Sequence, residues 1–463
     1  MAGVGLVVTR CRCVALLLLM TACATPVNKV PTPVALPHSF SVSGTLKAPD
    51  KWWQVFQDEA LNELLSTALG HNFSLHAAFD RLAQARAIAK KTGADFIPQL
   101  NGSSGISHTA SDKPSQDSFS FGVAASYELD VWGRIRTGIN AARLDVNAAQ
   151  EEVDSAAISL SAELASNWYK LIEQRQQLAL LERQIAVNRK NVALLQVRFS
   201  GAQAAAADVL QQQQLLESVI GNQLTVIATI SVLENQLAIL TGNSPGLIAL
   251  PEHSEFPLLP PLPHTGLSAD VIQRRPDVRR AYLRVQAADQ RIASAIADRY
   301  PKLSLSASLG ANSPSLEALF TNWLGTIAGN LLVPMIDGGR RVAEVERNQA
   351  LAAEAMNTYA TTLLTAVKEV ENALIQERQQ QQLVINLQKQ VELATQSSER
   401  LRVRYLYGAM DFLRVLSAQL SQQSLERTLI QARQQLIDYR INLYRALAGG
   451  FSLTDSIATA KKI

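Results

Sequence analysis

Aromatic side chains are scarce in this chain: 6% of 463 residues, although 47% are hydrophobic. A compact α/β core is not what such a composition supports, and the abundance of Ala, Leu and Gln suits long helices. Cysteine is nearly missing. Cys11, Cys13 and Cys23 are the whole supply, which leaves the body of the chain without a disulfide framework, a thiolate metal site or a cysteine nucleophile. There is no excess of charge. Lys and Arg number 43 against 40 Asp and Glu, and losing Arg10 and Arg12 with a leader would leave +1, no footprint of nucleic-acid binding. The six histidines are His38, His71, His76, His108, His253 and His264. Only His71 and His76 are close, and residues five apart do not share a helix face. HExxH, a nucleophile elbow and a phosphate loop are all absent. The two glycines of Asp337–Arg340 suit a tight turn instead. The sequence therefore predicts no enzyme, no metal and no cofactor. After Met20, no apolar run approaches the ~18–20 residues of a membrane-spanning helix. Any membrane crossing would have to be made by strands.

What is present begins with a leader. Arg10 and Arg12 form a basic start, Val14–Met20 an apolar stretch, and Thr21 and Ala22 are small residues before Cys23. This reads as a lipoprotein signal over 1–22, with Cys23 as the lipid anchor; an ordinary cleaved signal is the alternative. Met20 stands where a lipobox usually has Leu. Ala24, rather than Asp, follows the cysteine, which favours sorting to the outer membrane. Residues 23–57, rich in Pro, Ser and Thr up to about residue 50, read as an acylated tether.

The chain then says the same thing twice. Gly133 and Arg134 return 206 residues on as Gly339 and Arg340, Arg198 and Phe199 as Arg404 and Tyr405, and Val209 and Leu210 as Val415 and Leu416. Pro98 returns three residues out of step as Pro301. A unit this long is a duplicated half-molecule, not a solenoid repeat. The expected organisation is one repeat over 58–243, an inter-repeat equatorial segment over 244–270, a second repeat over 271–448 and a tail over 449–463. The first helical pattern runs from Asp58 to Gly93 and stops before Pro98. The period then changes to two. Phe119, Phe121, Val123, Ala125, Tyr127 and Leu129 alternate with Ser118, Ser120, Gly122, Ala124, Ser126 and Glu128; Leu303, Leu305, Ala307 and Leu309 alternate with Ser304, Ser306, Ser308 and Gly310. Such alternation argues strands with one apolar and one polar face. Weaker partners run over Leu100–Ile106 and Trp323–Met335, so each repeat contributes one hairpin.

Very long helices follow. From Arg136 to Phe199 there is no proline, and Gly138 is the only glycine; at ~1.5 Å per residue this reaches on the order of 95 Å. Leu164, Leu171, Leu178, Ile185, Val192 and Phe199 recur every seven residues. Leu387, Ala394 and Leu401 do so in the second copy, as do Leu425, Ala432, Tyr439 and Ala446 in the returning helix. Sustained heptads predict antiparallel helix pairs meeting along a seam, with the Gln-rich faces "EQRQQ" and "QERQQQQ" turned to water. At the turns, Gly201 and Gly408 are placed to end helices in the left-handed conformation. Asp208 and Asp411 stand where an acid favours the start of the next helix.

The fold class is thus mainly α with membrane β: long antiparallel coiled-coil helices plus four strands per chain. A soluble sandwich needs a second sheet to cover the apolar face, and a tall soluble bundle leaves the strands unexplained. Strands of ~9–11 residues span a bilayer when tilted. Four cannot close, since barrels in lipid need at least ~8, and an open edge there leaves backbone groups unpaired. The chain must then oligomerise: three protomers would supply twelve strands, two would supply eight.

Five stretches carry a resemblance that covers essentially the whole mature chain: Trp52–Leu75, Tyr127–Arg136, Arg274–Pro301, Val333–Arg341 and Arg404–Gln419. On these the chain resembles the TolC-like outer-membrane efflux factors, in particular the lipid-anchored branch typified by OprM and NodT. The resemblance implies a homotrimer with a twelve-stranded barrel and an α-helical periplasmic tunnel. It implies a periplasmic membrane-fusion adaptor and an inner-membrane pump as partners, alongside outer-membrane lipid and no nucleic acid. It implies a passive exit duct for drugs or other small solutes, driven by the pump. A protein-secretion duct, or a lipid-anchored coiled-coil spacer without a pore, are the competing readings. The family's gate lies at the periplasmic tip, which places Arg404, Asp411, Arg414 and Ser417 at the constriction and Gly201 and Gly408 on the adaptor-docking turns. Relatives commonly carry aspartate at the positions of Arg414 or Ser417. The departure implies a mouth that attracts cations less, closed by ion pairs among Arg404, Arg414 and Asp411.

Overall fold

The computed structural model describes residues 34–44, 49, 51–110, 112, 115–247, 250–253, 255–265 and 272–447. The leader, Cys23, part of the inter-repeat segment and the tail lie outside the described residues. The elements run α1 (Glu59–His71), α2 (Phe73–Ala94), β1 (Gln99–Thr109), β2 (Gln116–Leu129), α3 (Arg134–Ser200), α4 (Ala206–Leu240), α5 (Pro276–Ala297), β3 (Lys302–Ser313), β4 (Trp323–Leu332), α6 (Arg340–Leu406) and α7 (Phe412–Leu447). The repeat holds to the residue where it matters most. Both α3 and α6 are 67 residues long, and their first and last residues are each 206 apart. Gly133 and Gly339, both with positive φ, introduce them.

The expected single helix over 58–93 is two. Asn72 breaks it: its carboxamide oxygen accepts from the Leu75 N–H while its own N–H reaches the Ala68 carbonyl, so one residue caps two helices. Just ahead of α1, Trp52, Trp53 and Phe56 are buried among Tyr169, Leu171 and Tyr444. The ordered body therefore starts before Asp58, whose carboxylate caps α1 and takes the Trp168 indole N–H.

Antiparallel pairing makes one sheet, ordered β1-β2-β3-β4. The β2–β3 pairing joins the two repeats, with Phe121 opposite Ala311 and Ser126 opposite Ser306. Cross-strand partners share a face, so the faces sort cleanly. Asn101, Ala124, Ser308 and Thr326 lie in one row on the polar face; Leu100, Ala125, Ala307 and Ile327 lie in one row on the apolar face. β4 stops at Leu332, short of the expected Met335, because Pro334 has no N–H to extend the ladder.

In the helices the heptad row drifts. Leu164 and Leu171 are fully buried, yet Phe199 is 50% exposed and Leu195 has taken over the interior. A straight helix loses ~20° of register per heptad, so a strict seven-residue row rotates out over its five steps. The Gln-rich faces depart from expectation only in part: Gln376, Arg378, Gln379, Gln381 and Gln382 are exposed as expected. Glu173, Gln177 and Glu377 are buried, because each finds a hydrogen-bonding partner across or along a helix. A third departure is α4. It is long and apolar enough to cross a membrane by length and composition, and only 11% of its most apolar 18 residues are buried. α4 packs along α3.

The tip turns superpose as one motif. Gln203 N–H bonds Arg198 O and Ala202 N–H bonds Phe199 O; Ala409 N–H bonds Arg404 O and Gly408 N–H bonds Tyr405 O. This is the Schellman pattern. The left-handed slot holds Gly408 (φ 74) in the second repeat but Ala202 (φ 55) in the first, while Gly201, at φ −86, sits one residue early. An L-residue in that conformation costs ~1–2 kcal/mol. Ala202→Gly should therefore stabilise by about 1 kcal/mol and Gly408→Ala destabilise by a similar amount, read from urea midpoints of the detergent-solubilised protein. An unchanged midpoint for both would show that the slots carry no strain.

Candidate functional site: a strand wall and a helical tip

Because the sheet's polar face is built from Ser, Asn, Thr, Gly and Ala, it presents hydroxyls and amides with little charge. Ser120 Oγ donates to Gly105 O, Ser118 Oγ to the Asn312 carboxamide, and Asn330 Nδ2 to Ser306 Oγ. The opposite face leaves Leu305, Leu309, Ile327 and Leu331 about half exposed or more, and Ile327 reaches 88%. In water such a face would be an aggregation hazard; against acyl chains it is a match. The edges β1 and β4 have no further strand partner among the described residues.

At the foot of the sheet the strands hand over to the helices through charge. Arg134 makes a bidentate pair with Glu128 (3.0 and 2.8 Å), and Asp298 lies between Lys302 (2.8 Å) and Arg341 (3.2 Å). The Trp132 indole donates to Pro301 O at 2.8 Å while its ring stacks on Tyr300. Asp130 caps α3 through the Ile135 and Arg136 N–H groups. Arg134 in the first repeat and Arg341, just after Gly339–Arg340, in the second thus fix each helix to its hairpin.

Midway down the helices sits a belt the sequence reading did not anticipate. Arg275, 7% exposed, pairs with Asp277 and Glu369, both at 2.7 Å, and donates to Ala446 O. It ties the start of α5 to α6 and the end of α7. Arg440, 3% exposed, grips Glu377 with two bonds and donates to the Pro260 and Pro261 carbonyls. Arg175 holds Pro251 O and His253 O in the same way. Residues 36–44 join the belt, with Phe40 buried on Val370 and Leu443 and Gly44 N–H on Pro263 O. A side chain at Gly44 would fall 1.7 Å from Leu262 O. A clue was available in the sequence: a charged residue inside an apolar heptad implies a partner.

The Asp277 carboxyl is subject to opposing effects. Burial raises its pKa, but the Arg275 guanidinium and the Val278 N–H outweigh that and hold it below the ordinary value. A lowered carboxylate adds stability above its unfolded pKa, and this is lost as pH falls through the folded one. Stability should therefore decline as pH drops below about 4, and Asp277→Asn should flatten that decline. The check is the thermal midpoint from pH 7 to pH 3; equal slopes in variant and parent would remove Asp277 from the account.

At the tip, Asp411 caps α7 by accepting the Arg414 N–H at 3.1 Å, and its other oxygen stands 3.7 Å from Arg414 Nε. Asp411, Arg414 and Ser417 form one exposed stripe, opposite the buried Phe412, Val415 and Leu416. Arg404 is exposed on α6, and its described contact is the turn bond from Ala409 to its carbonyl. Within one protomer Asp411 is thus brought to Arg414 and not to Arg404. Gly201 and Gly408 both sit on the turns themselves. On the first-repeat side Arg198 lies over the Tyr405 ring at 4.7 Å and Asp208 caps α4 through the Ala205 N–H.

The sequence profile described as Outer membrane efflux protein matches residues 64–243 and 267–449. The chain belongs to the outer membrane efflux protein family. It is 28% identical over 469 residues to the pyoverdine export outer membrane protein OpmQ of Pseudomonas aeruginosa, covering 96% of this chain and 97% of that one. It is 25% identical to the probable outer membrane lipoprotein SilC of Salmonella typhimurium, covering 90% and 94%. The solved VceC outer membrane protein of Vibrio cholerae is 26% identical with a TM-score of 0.79, covering 87% and 100%. The outer-membrane channel OprN shares the fold at a TM-score of 0.85, with 24% identity, covering 92% and 99%. This efflux protein therefore acts at the bacterial outer membrane as a channel with a helical tunnel in the periplasm. Its family is one of channel proteins, not of enzymes.

Proposed function

We propose that this chain is the exit duct of a tripartite efflux assembly, a lipid-anchored homotrimer that passively conducts small solutes delivered by a periplasmic adaptor and an inner-membrane pump. One observation carries the reading. A sheet with an apolar face, a hydroxyl-lined face and two free edges passes through left-handed glycines into paired helices 67 residues long. Free edges in hydrocarbon leave backbone groups unpaired, so β1 of one protomer pairs with β4 of the next, and three sheets of four strands close a barrel. The exposed apolar side of α4, including Leu224, Ile227 and Val232, is covered by the neighbouring protomer below the bilayer. Cys23 carries the acyl anchor.

The relatives named for pyoverdine, toluene and cation efflux differ in cargo. A wall of Ser, Asn and Thr suits that breadth, because it offers weak hydrogen bonds and few fixed charges. The tip is the gate. Arg404, with no carboxylate partner among the described residues of its own protomer, meets Asp411 of a neighbour and closes the mouth beside Arg414 and Ser417, while the turns at Gly201 and Gly408 take the adaptor.

Single-channel recording in a planar bilayer, with oligomer mass measured on the same sample, tests this. Trimers with low resting conductance are expected, and Arg404→Ala with Arg414→Ala should raise it several-fold. A monomer that stays silent in both forms would leave the coiled-coil spacer as the better description.

A further inference from the structure

Between the equatorial core and the sheet, α2 and α5 flank α3, and the face of α3 between them looks into the bore. Trp168 and Ile172 carry the opposite face into the equatorial core, whereas Ser159, Glu163 and Lys170 on this face are exposed. Glu152 shares the face, about five turns below Arg134. The partner of Arg134, Glu128, stands in a row with Ser304 and Asn330 on the wet side of the sheet. At the level of Glu152 one carboxylate meets three guanidinium groups. Its Oε1 lies 3.4 Å from Arg81 Nε of α2, and its Oε2 lies 3.7 Å from Arg280 Nη1 and 3.6 Å from Arg284 Nη2 of α5. The side chains of Arg81 and Arg284 are each 56% exposed. The adjoining ion pairs balance one to one: Arg291 with Asp145 higher up, and Arg279 with Glu151 behind. Lower down, Glu163 and Lys170 offset each other in charge.

Three arginines exceed what one Glu152 needs for pairing, and exposed ion pairs as loose as these add little to stability. The surplus charge acts on what passes instead. A narrow passage walled by low-dielectric protein concentrates the field of like charges along its lining, and rings of arginine favour anions in pores. Threefold repetition sets nine arginines against three copies of Glu152. The guanidinium plane also matches carboxylate and phosphate oxygens with paired N–H donors. We propose that Arg81, Arg280 and Arg284 form an anion-selecting ring in the upper tunnel, and that the solutes this duct carries best bear carboxylate or phosphate groups. This rests on the duct reading above and adds the charge class of the cargo. The strand wall beyond it, with few fixed charges, leaves that choice to the ring.

Reversal potentials of single channels in a KCl gradient test the ring, every form being recorded in the Arg404→Ala, Arg414→Ala background. The ring-intact channel is expected to pass chloride over potassium. Arg81→Gln with Arg284→Gln should lower the chloride-to-potassium permeability ratio about threefold, and Glu152→Gln should raise it. Both arginines are more than half exposed, so trimers of the double variant should assemble in normal yield. Millimolar citrate added on the tip side should block the ring-intact channel, and the double variant should need about tenfold more for the same block. The same permeability ratio in the intact, double-variant and Glu152→Gln channels would overturn the proposal, as would a citrate block that the double variant leaves unchanged. Silence of the ring-intact trimers in this background would instead count against the duct itself.

Discussion

Arg440→Met is expected to remove roughly 3–5 kcal/mol of folding stability, the range for leaving one partner of a buried ion pair alone. The guanidinium is almost wholly enclosed. Without it Glu377, 7% exposed as a side chain, is left in the interior with no cation beside it, and two proline carbonyls of the inter-repeat segment lose their donor. Arg440→Met with Glu377→Leu should recover most of the loss, because an apolar pair of similar volume removes the stranded charge. Urea unfolding of the solubilised protein measures both. A double variant no more stable than the single would mean that the pair is not the source of the effect. Protease sensitivity over 255–265 should rise in both variants, since neither holds the proline carbonyls.

A similar size of effect is expected at the sheet, with a sign that depends on parity. Leu305→Arg places a charge on the acyl-chain face, at a cost of ~2–4 kcal/mol near the bilayer midplane. Ser306→Arg, one residue on, turns the same charge toward the wet face and should be tolerated. The measurement is the fraction of chain recovered as trimer in the outer membrane. Cysteines at 305 and 306 add an independent readout: the second should react with a bulky water-soluble maleimide and the first should not. Reversed reactivity would abandon the shared bore.

Much of this was legible from the residues because the signals were periodic. Strict alternation at 119–129 and 303–309 has one physical solution, and the faces came out as read. The 206-residue spacing located both ends of both long helices, since each end carries its own glycine and arginine. What could not be read depends on contacts between distant segments. Asn72 looks like an ordinary helical position until Leu240 O is found beside its amide nitrogen. Glu377 and Gln177 sit in polar strings that composition assigns to water, and only the opposing Arg440 and Arg427 explain their burial. The slot taken by Ala202 was hidden because Gly201, one residue away, is the residue a sequence reader chooses.

Equal reach has its own consequence for how such a chain can change. The two long helices match in length to the residue, and the returning ones span 35 and 36. Dropping one heptad from α3 alone would leave its turn ~10 Å short of the other, and the rim would no longer lie level. Insertions and deletions in the staves are therefore viable only as matched events, made in both halves at corresponding depth, whereas the β3–β4 connection at 314–322 is free to vary independently.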